Sequence, residues 1–294
     1  SSFTKQALSD IADVYNFSKP RLHSGANWAD FAQQLGVVSV QISEFDSQKS
    51  KVLKNGYIRN TWSVSSFMEE MFANVCFAAG SQNYMGNDTH DSVLGPYVYL
   101  QNKLAYEVGV ETWVPSVGII DGYLVPHDET FTISDYLTLK DNFGRILYKP
   151  TCYFAYKPCD EAMHSVNKFH SYSEVESSLG ASSVSCMGED ITKGTDEVGV
   201  LVSLNNGKSY WYGAGLSIDF TRRICKESNG TVFYVAAGLY GALEYIKNNP
   251  HEGYLSNEEI DHSFVLKYAE PYLENLKGYM IDWSPRSVDQ YIRQ

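Results

Sequence analysis

WVPSVGIIDGYLVPHDETFTIS, Trp113 to Ser134, is where the texture of the chain turns from helix to sheet. Short runs of Val, Ile, Tyr and Thr are cut by Gly, Pro and Asp too often for an ordinary helix, which is the mark of successive strands and turns. The same texture holds between Tyr97 and Phe154 and takes in RILYKPTCYFAY. Further strands are predicted at GVVSVQIS (Gly36 to Ser43), EVGVLVSL (Glu197 to Leu204) and KSYWYGAGLSI (Lys208 to Ile218). Around these lie helical patterns. Phe3, Ala7, Leu8, Ile11, Val14 and Tyr15 share one face of the first, and Val64, Phe67, Met68, Met71, Phe72 and Val75 form the apolar stripe of another. Helices are also predicted at Asp160 to Phe169, as a buried element from Thr231 to Lys247, and once in the tail from Ser256. Ser81 to Pro96 reads as a polar loop and Ser177 to Thr195 as a long loop or flap. The layout is α+β, a mostly antiparallel sheet covered by helices. A doubly wound fold would need a more regular alternation of strand and helix.

The 294 residues are 44% hydrophobic, enough to fill the core of one large domain or two ordinary ones. With 23 Lys plus Arg against 35 Asp plus Glu, the net charge of -12 argues against a general phosphate-binding surface, so no nucleic-acid partner is expected. It is compatible with cationic partners, and equally with acidity that serves solubility alone. Five cysteines without a CxxC pair indicate neither a disulfide framework nor a zinc site. No basic, apolar leader is visible, and the longest apolar run, VFYVAAGLYGAL from Val232 to Leu243, is too short to span a bilayer. A cytoplasmic protein without a membrane partner is expected.

Several groups could carry chemistry. In IRNTWSVSSFMEEMF (Ile58 to Phe72), Trp62 shares with Glu69 and Glu70 the face opposite the apolar stripe, if the helix reaches back that far. An indole near carboxylates suits a flexible cation, although a core tryptophan at a helix start is the simpler reading. The strand GVVSVQIS delivers Glu44 and Asp46 at its end, where open sheets present ligand-binding groups. In HDET, His127 and Glu129 would point the same way on an extended chain, and an imidazole beside a carboxylate can take and return protons near neutrality. A solvated turn fits these residues as well. Asp196 and Glu197 in GTDEVGVL are ligands at a strand mouth or turn formers. His90, His164 and His170 lack metal-ligand spacing, so no metal is expected. GAGLSI, Gly213 to Ile218, is the nearest match to a dinucleotide loop, but it lacks the third glycine and the strand-to-helix context. No GxxxxGK, HExxH or GxSxG occurs.

Taken together, NTWS with Glu70 eight residues beyond its tryptophan, PHDETFTISDYL, YKPTCYFAYKPCD, GTDEVGVL and YWYGAGLSIDFTRRI resemble bacterial homospermidine synthase, a relative in fold of saccharopine-dehydrogenase-like reductases. The resemblance runs from the first helix to the final DWSP. It implies an NAD-dependent homodimer that oxidises putrescine to an imine, lets a second diamine attack with loss of ammonia, and re-reduces the new imine to homospermidine. It implies Trp62 as the aromatic face for cationic intermediates, Glu70 as its paired carboxylate, Glu44 as an acid at the amine site, His127 and Glu129 as an active-site wall, and Asp196 as an acidic position at the substrate entrance. Members of that family carry a Rossmann half with a glycine-rich loop ahead of the first helix seen here. By resemblance, therefore, this is a later portion of the family's length, with NAD held mainly by a half absent from the chain and with no cofactor-binding residue assigned within it. Residues 1–60 are then a remnant of the dinucleotide-binding domain, 61–270 the substrate-binding and dimerisation domain, and 271–294 a segment returning to the dinucleotide domain. A related imine-reducing dehydrogenase acting on another amine or amino acid, and a non-catalytic module binding polyamines or proteins, are the alternatives.

Overall fold

A computed structural model of the chain describes residues 1–19, 25–51, 56–81, 92–94, 97–179, 183–288 and 290. Its frame is a ten-stranded sheet. In chain order the strands are β1 (Val37–Asp46), β2 (Asn74–Ala78), β3 (Ser92–Leu94), β4 (Tyr97–Leu104), β5 (Gly109–Val114), β6 (Gly118–Val125), β7 (Thr151–Lys157), β8 (Thr195–Leu204), β9 (Ser209–Ser217) and β10 (Lys277–Ile281). The order across the sheet is β10, β9, β8, β1, β7, β2, β4, β3, and β6 pairs with both β7 and β5. Among the described residues, only the β1–β7 pair of this sheet is parallel, so the mostly antiparallel sheet expected from sequence is what forms.

Around it lie α1 (Ser2–Val14), α2 (Gly25–Gln34), α3 (Val64–Met71), α4 (Asp128–Tyr136), α5 (Asp160–Val166), α6 (Tyr172–Leu179), α7 (Ile218–Ile224), α8 (Gly230–Asn248) and α9 (His262–Ala269). Because side chains alternate along a strand, β1 sends Ile42, Glu44 and Asp46 to one face of the sheet and Gln41 and Ser43 to the other. On that second face, Gln41 donates to the Glu111 carbonyl at 2.9 Å and Ser43 to the Trp113 carbonyl at 3.0 Å, which ties the β5–β6 hairpin across the sheet. Hydrophobic burial holds the first face from three sides. Leu8, Ile11 and Phe31 pack beside Val40 and Val202, Phe67 and Met68 beside Phe154 and Tyr156, and Ala237 and Leu273 beside Ala214 and Leu216. Ile42 touches both the first and the second group. Residues 1–60, assigned by resemblance to a dinucleotide domain, contribute α1, α2 and the central strand β1.

Four local expectations need correction. The stretch that reads as strands throughout contains α4, whose first turn carries Asp128 and Glu129; acidic groups there favour the helix dipole and outweigh the β-propensity of Thr and Phe. The predicted flap is largely regular. α6 ends at Leu179, and Ser183–Cys186 pairs in parallel with Tyr57–Asn60. The tail adds β10 as an edge strand. Finally, α8 is not a buried helix, since Val235 is 69% and Ile246 60% exposed while Ala237 is 3% exposed. Only part of its small-residue surface packs tightly, as where a side chain at Gly241 would lie 2.7 Å from the Val265 carbonyl oxygen. The polar loop with His90 lies mostly outside the described residues.

Candidate active site

Between the three packed groups lies a cavity of about 700 Å³. Its floor is one face of three adjacent strands. β1 supplies Ile42 and Glu44, β7 supplies Phe154 and Tyr156, and β8 supplies Asp196, Val198 and Val200. The parallel register sets Ile42 opposite Phe154 and Glu44 opposite Tyr156, and the antiparallel register sets Glu44 opposite Val198. Trp62, Glu70, His127 and Glu129 come in from α3, α4 and the segments before them, and Thr231, Val235 and Gly238 of α8 form another wall. The six residues given a role by the resemblance, Glu44, Trp62, Glu70, His127, Glu129 and Asp196, therefore line one space, whereas the other candidates Asp46, Glu69 and Glu197 do not. Four of the six are carboxylates, and no Lys or Arg joins them among the described residues of the lining.

Trp62 lies ahead of α3 rather than on it. The Ser63 hydroxyl caps that helix by accepting from the Ser66 N–H, so wheel arithmetic extended back to the tryptophan does not apply. The ring is not a core side chain either. It stays half-buried, its Nε1 donates to the Tyr156 hydroxyl at 3.3 Å, and its edge meets Phe67 at 6.1 Å between centroids. Glu70 stands on the polar side of α3, behind which Val64, Phe67, Met68 and Met71 are buried. Glu69 is exposed and does not line the cavity.

His127 and Glu129 meet by helix-cap geometry and not on an extended chain. His127 is the N-cap of α4, Glu129 lies in the first turn, and the imidazole Nδ1 contacts the Glu129 carboxylate. Burial alone would lower the imidazole pKa; the Glu129 hydrogen bond and charge outweigh it, so His127 is raised. Burial would likewise raise Glu129, but His127 holds it below the ordinary value. The pair is partly wet, with 38% and 42% of the two side chains exposed, so the stability it adds is small.

The other carboxyls go the opposite way. Burial, opposed by His127 and reinforced by Glu129, pushes Glu70 up to about 7. Burial and the neighbouring acids Asp196 and Asp46 raise Glu44 well above its ordinary value. Asp196 is raised by burial and then by Asp46, with the nearby Thr231 hydroxyl offsetting part of the rise; it is 0% exposed, and neither carboxylate oxygen meets a donor at full hydrogen-bond geometry. Both Asp196 and Glu197 fall inside β8 and not in a turn, and strand alternation separates them. Glu197 faces away and accepts from the Ser116 hydroxyl.

Tyr156 and Tyr234 line the cavity without having been candidates from sequence, whereas Asp46, a strand-end candidate there with Glu44, falls outside the lining. Alternation in TCYFAY was enough to place Tyr156 with Phe154 on one face, but the partner strand was needed to show which face. His164 and His170 lie away from the cavity lining. GAGLSI begins inside β9, and its glycines form no phosphate loop.

No protein-family model matches the chain. It is 32% identical over 287 residues to a homospermidine synthase of Blastochloris viridis, and 31% identical over 293 residues to one of Mesorhizobium japonicum. Each alignment covers 96% of this chain and 59% of the relative, so the chain spans well under two thirds of the curated relatives it matches. A crystal structure of the homospermidine synthase of Legionella pneumophila in complex with NAD superposes with a TM-score of 0.86 at 31% identity, over 96% of this chain and 61% of that one. The fold described above is shared with that structure.

Proposed function

We propose that this chain forms the substrate-binding and dimerisation portion of a cytoplasmic, homodimeric homospermidine synthase. The reaction is NAD-dependent oxidation of putrescine to an imine, attack by a second putrescine with release of ammonia, and re-reduction to homospermidine. The observation that carries this reading is the cavity itself: Glu44, Glu70, Glu129 and Asp196 converge on it from four elements beside an indole, and among the described lining side chains only His127, paired with Glu129, offsets their charge. Buried carboxylates without a cation are costly, and a protonated diamine supplies the missing charge at both of its ends. A substrate bearing a carboxylate would meet repulsion there, which disfavours an amino-acid-reducing relative. The proteins to which the chain is similar carry the name of that activity.

An amine must lose a proton before hydride can leave its carbon. Glu70, poised near neutrality and close to the His127–Glu129 pair, is the group proposed to take it. Asp196 and Glu44 anchor the ammonium that remains charged, and the Trp62 ring steadies iminium character without offering a nucleophile that could trap it. NAD supplies hydride acceptance and return. The described residues offer no glycine loop to cradle it, so it is proposed to bind mainly through the length of the relatives that this chain does not span. Residues 1–60 and 271–294 are the parts proposed to adjoin that region.

Trp62→Ala is expected to lower turnover by about 2-fold to 30-fold, the equivalent of a cation–π contact of about 0.5 to 2 kcal/mol, with the fold retained. Unchanged steady-state kinetics in this variant would remove the ring from the mechanism. The function is tested by incubating the chain with NAD and putrescine and assaying homospermidine by mass spectrometry, with and without a separately expressed dinucleotide-binding polypeptide. Product in either arm supports the proposal. Putrescine binding without product in both arms identifies a polyamine-binding module, and neither binding nor product overturns the reading.

A further inference from the structure

On the cavity face of β1, two residues beyond Glu44, Asp46 lies opposite Asp196 in the β1–β8 register. Directly opposed residues of an antiparallel pair have Cβ atoms about 4.5 to 5.5 Å apart, and the two side chains are 1% and 0% exposed. Like charges so close in a dry site do not both ionise near neutrality. The surroundings decide which one keeps the proton. One Asp46 oxygen accepts from the Gln48 backbone N–H at 2.9 Å and from Gln48 Nε2 at 3.1 Å, and the other accepts from the Thr61 hydroxyl at 2.7 Å. The Gln48 amide cannot turn over, because its Oε1 accepts the Gly230 N–H at 2.9 Å while its Nε2 also donates to Thr231 Oγ1 at 3.0 Å. Three donors therefore fix Asp46 as the anion. Asp196 meets no donor at full hydrogen-bond geometry and has only the Thr231 hydroxyl near it, against the three donors on Asp46; with its side chain lining the cavity, it is left with the proton.

We propose that Asp46 is a positioning residue that acts through Asp196: its fixed negative charge keeps Asp196 protonated in the empty cavity, and an incoming primary ammonium displaces that proton to solvent and takes its place. The exchange balances in charge, one cation arriving as one proton departs. It also gives the cavity a selectivity that a bare carboxylate lacks. An apolar or neutral ligand cannot release the proton, whereas a cation is met by an acid already held next to an anion. The other ionisable groups around the pair are Glu44, Glu161, Glu197, Cys159, Tyr156 and Tyr234; none is a cation that could stand in for the ammonium. Burial, offset by the Thr61 and Gln48 hydrogen bonds, brings Asp46 to about 6, while Asp196 lies well above its ordinary value, in keeping with that order of titration.

The exchange rests on the amine-binding reading above, so its test separates the two. Infrared spectroscopy of the ligand-free protein should show a carboxylic-acid C=O band that Asp196→Asn removes. In Asp46→Asn the pH at which this band disappears should fall by roughly two to three units, the size of a charge–charge coupling at this separation with an effective dielectric near 20. Putrescine affinity in the unsubstituted protein should rise with pH by about tenfold per unit below the band's midpoint, as release of one proton requires, and level off roughly two to three units lower in the variant. Asp46→Ser, neutral and smaller, repeats the measurement if the asparagine does not fold. A band midpoint that stays put in a folded neutral variant overturns the proposal. A midpoint that moves as expected, in a protein that binds no putrescine at any pH, upholds the carboxyl pair and overturns the amine reading instead.

Discussion

Under the function proposed above, Glu70→Gln is expected to lower homospermidine formation by about 10²- to 10⁴-fold, the usual contribution of a positioned general acid or base, and to require more putrescine for saturation. Three features of the site set the size of the effect. Burial brings the Glu70 carboxyl to about 7, so near neutrality it is divided between the form that accepts a proton and the form that returns it. The residue faces the cavity beside the His127–Glu129 pair, which gives that proton somewhere to go. It also sits on the polar side of α3, so glutamine disturbs none of the buried residues Val64, Phe67, Met68 and Met71. The melting temperature should therefore hold. With Glu70 in the proposed role of base, turnover in the unsubstituted protein is expected to climb with pH through about 7, and that limb to vanish in the variant. If putrescine saturation and the pH profile are both unaltered, Glu70 is not the proton carrier, whatever becomes of the rest of the site.

How far the site was legible from sequence depended on which interactions were local. Alternation along GVVSVQIS and EVGVLVSL gave the strands, and a carboxylate at each strand end was visible as a candidate. What alternation could not give was the pairing that sets Asp46 against Asp196, because register between strands about 150 residues apart is fixed by packing over the whole sheet. The same limit hid Tyr156, whose face depends on lying beside β1. Trp62 shows the converse error. The apolar stripe holds for Val64, Phe67, Met68 and Met71, but the helix ends there and Val75 belongs to β2; the Ser63 cap likewise starts the helix one residue after the tryptophan, so helical spacing places neither Val75 nor Trp62. In HDET the two side chains do meet, but a helix start brings them together where an extended chain was assumed. The exposed apolar side of α8 escaped notice because its mean hydropathy matched a core helix, and composition does not say which surface a neighbour covers.

GAGLSI offers the second large effect, because its glycines answer to packing and not to phosphate. Gly213→Val is expected to destabilise the fold by about 3 kcal/mol or more, beyond what ordinary overpacking costs, and to lower the melting temperature by roughly 6 to 12 °C. A side chain at Gly213 would start 2.3 Å from the Val198 carbonyl oxygen, 2.5 Å from Gly199 Cα and 2.9 Å from the Trp211 ring. Two of these neighbours are backbone and cannot rotate away. The glycines face each other across β8 and β9 so that the Trp211 indole can lie over both; a side chain at Gly199 would be 2.5 Å from that ring. Trp211 in turn packs against Trp113 and Tyr279, joining the hairpin and the edge strand to the sheet. Gly238→Ala is the contrasting case, a mid-helix glycine with nothing within 4 Å, where a gain of up to about 1 kcal/mol is expected. A nucleotide-loop role for Gly213 would predict the reverse pattern, a stable protein with impaired NAD binding, and thermal unfolding of the purified variant decides between them. The consequence reaches the cavity, since Asp196 is only three residues along β8 from Gly199. A strand forced away from Trp211 would carry the buried carboxyl with it, so the register that makes Asp196 face Asp46 depends on the absence of a side chain on the far side of the sheet.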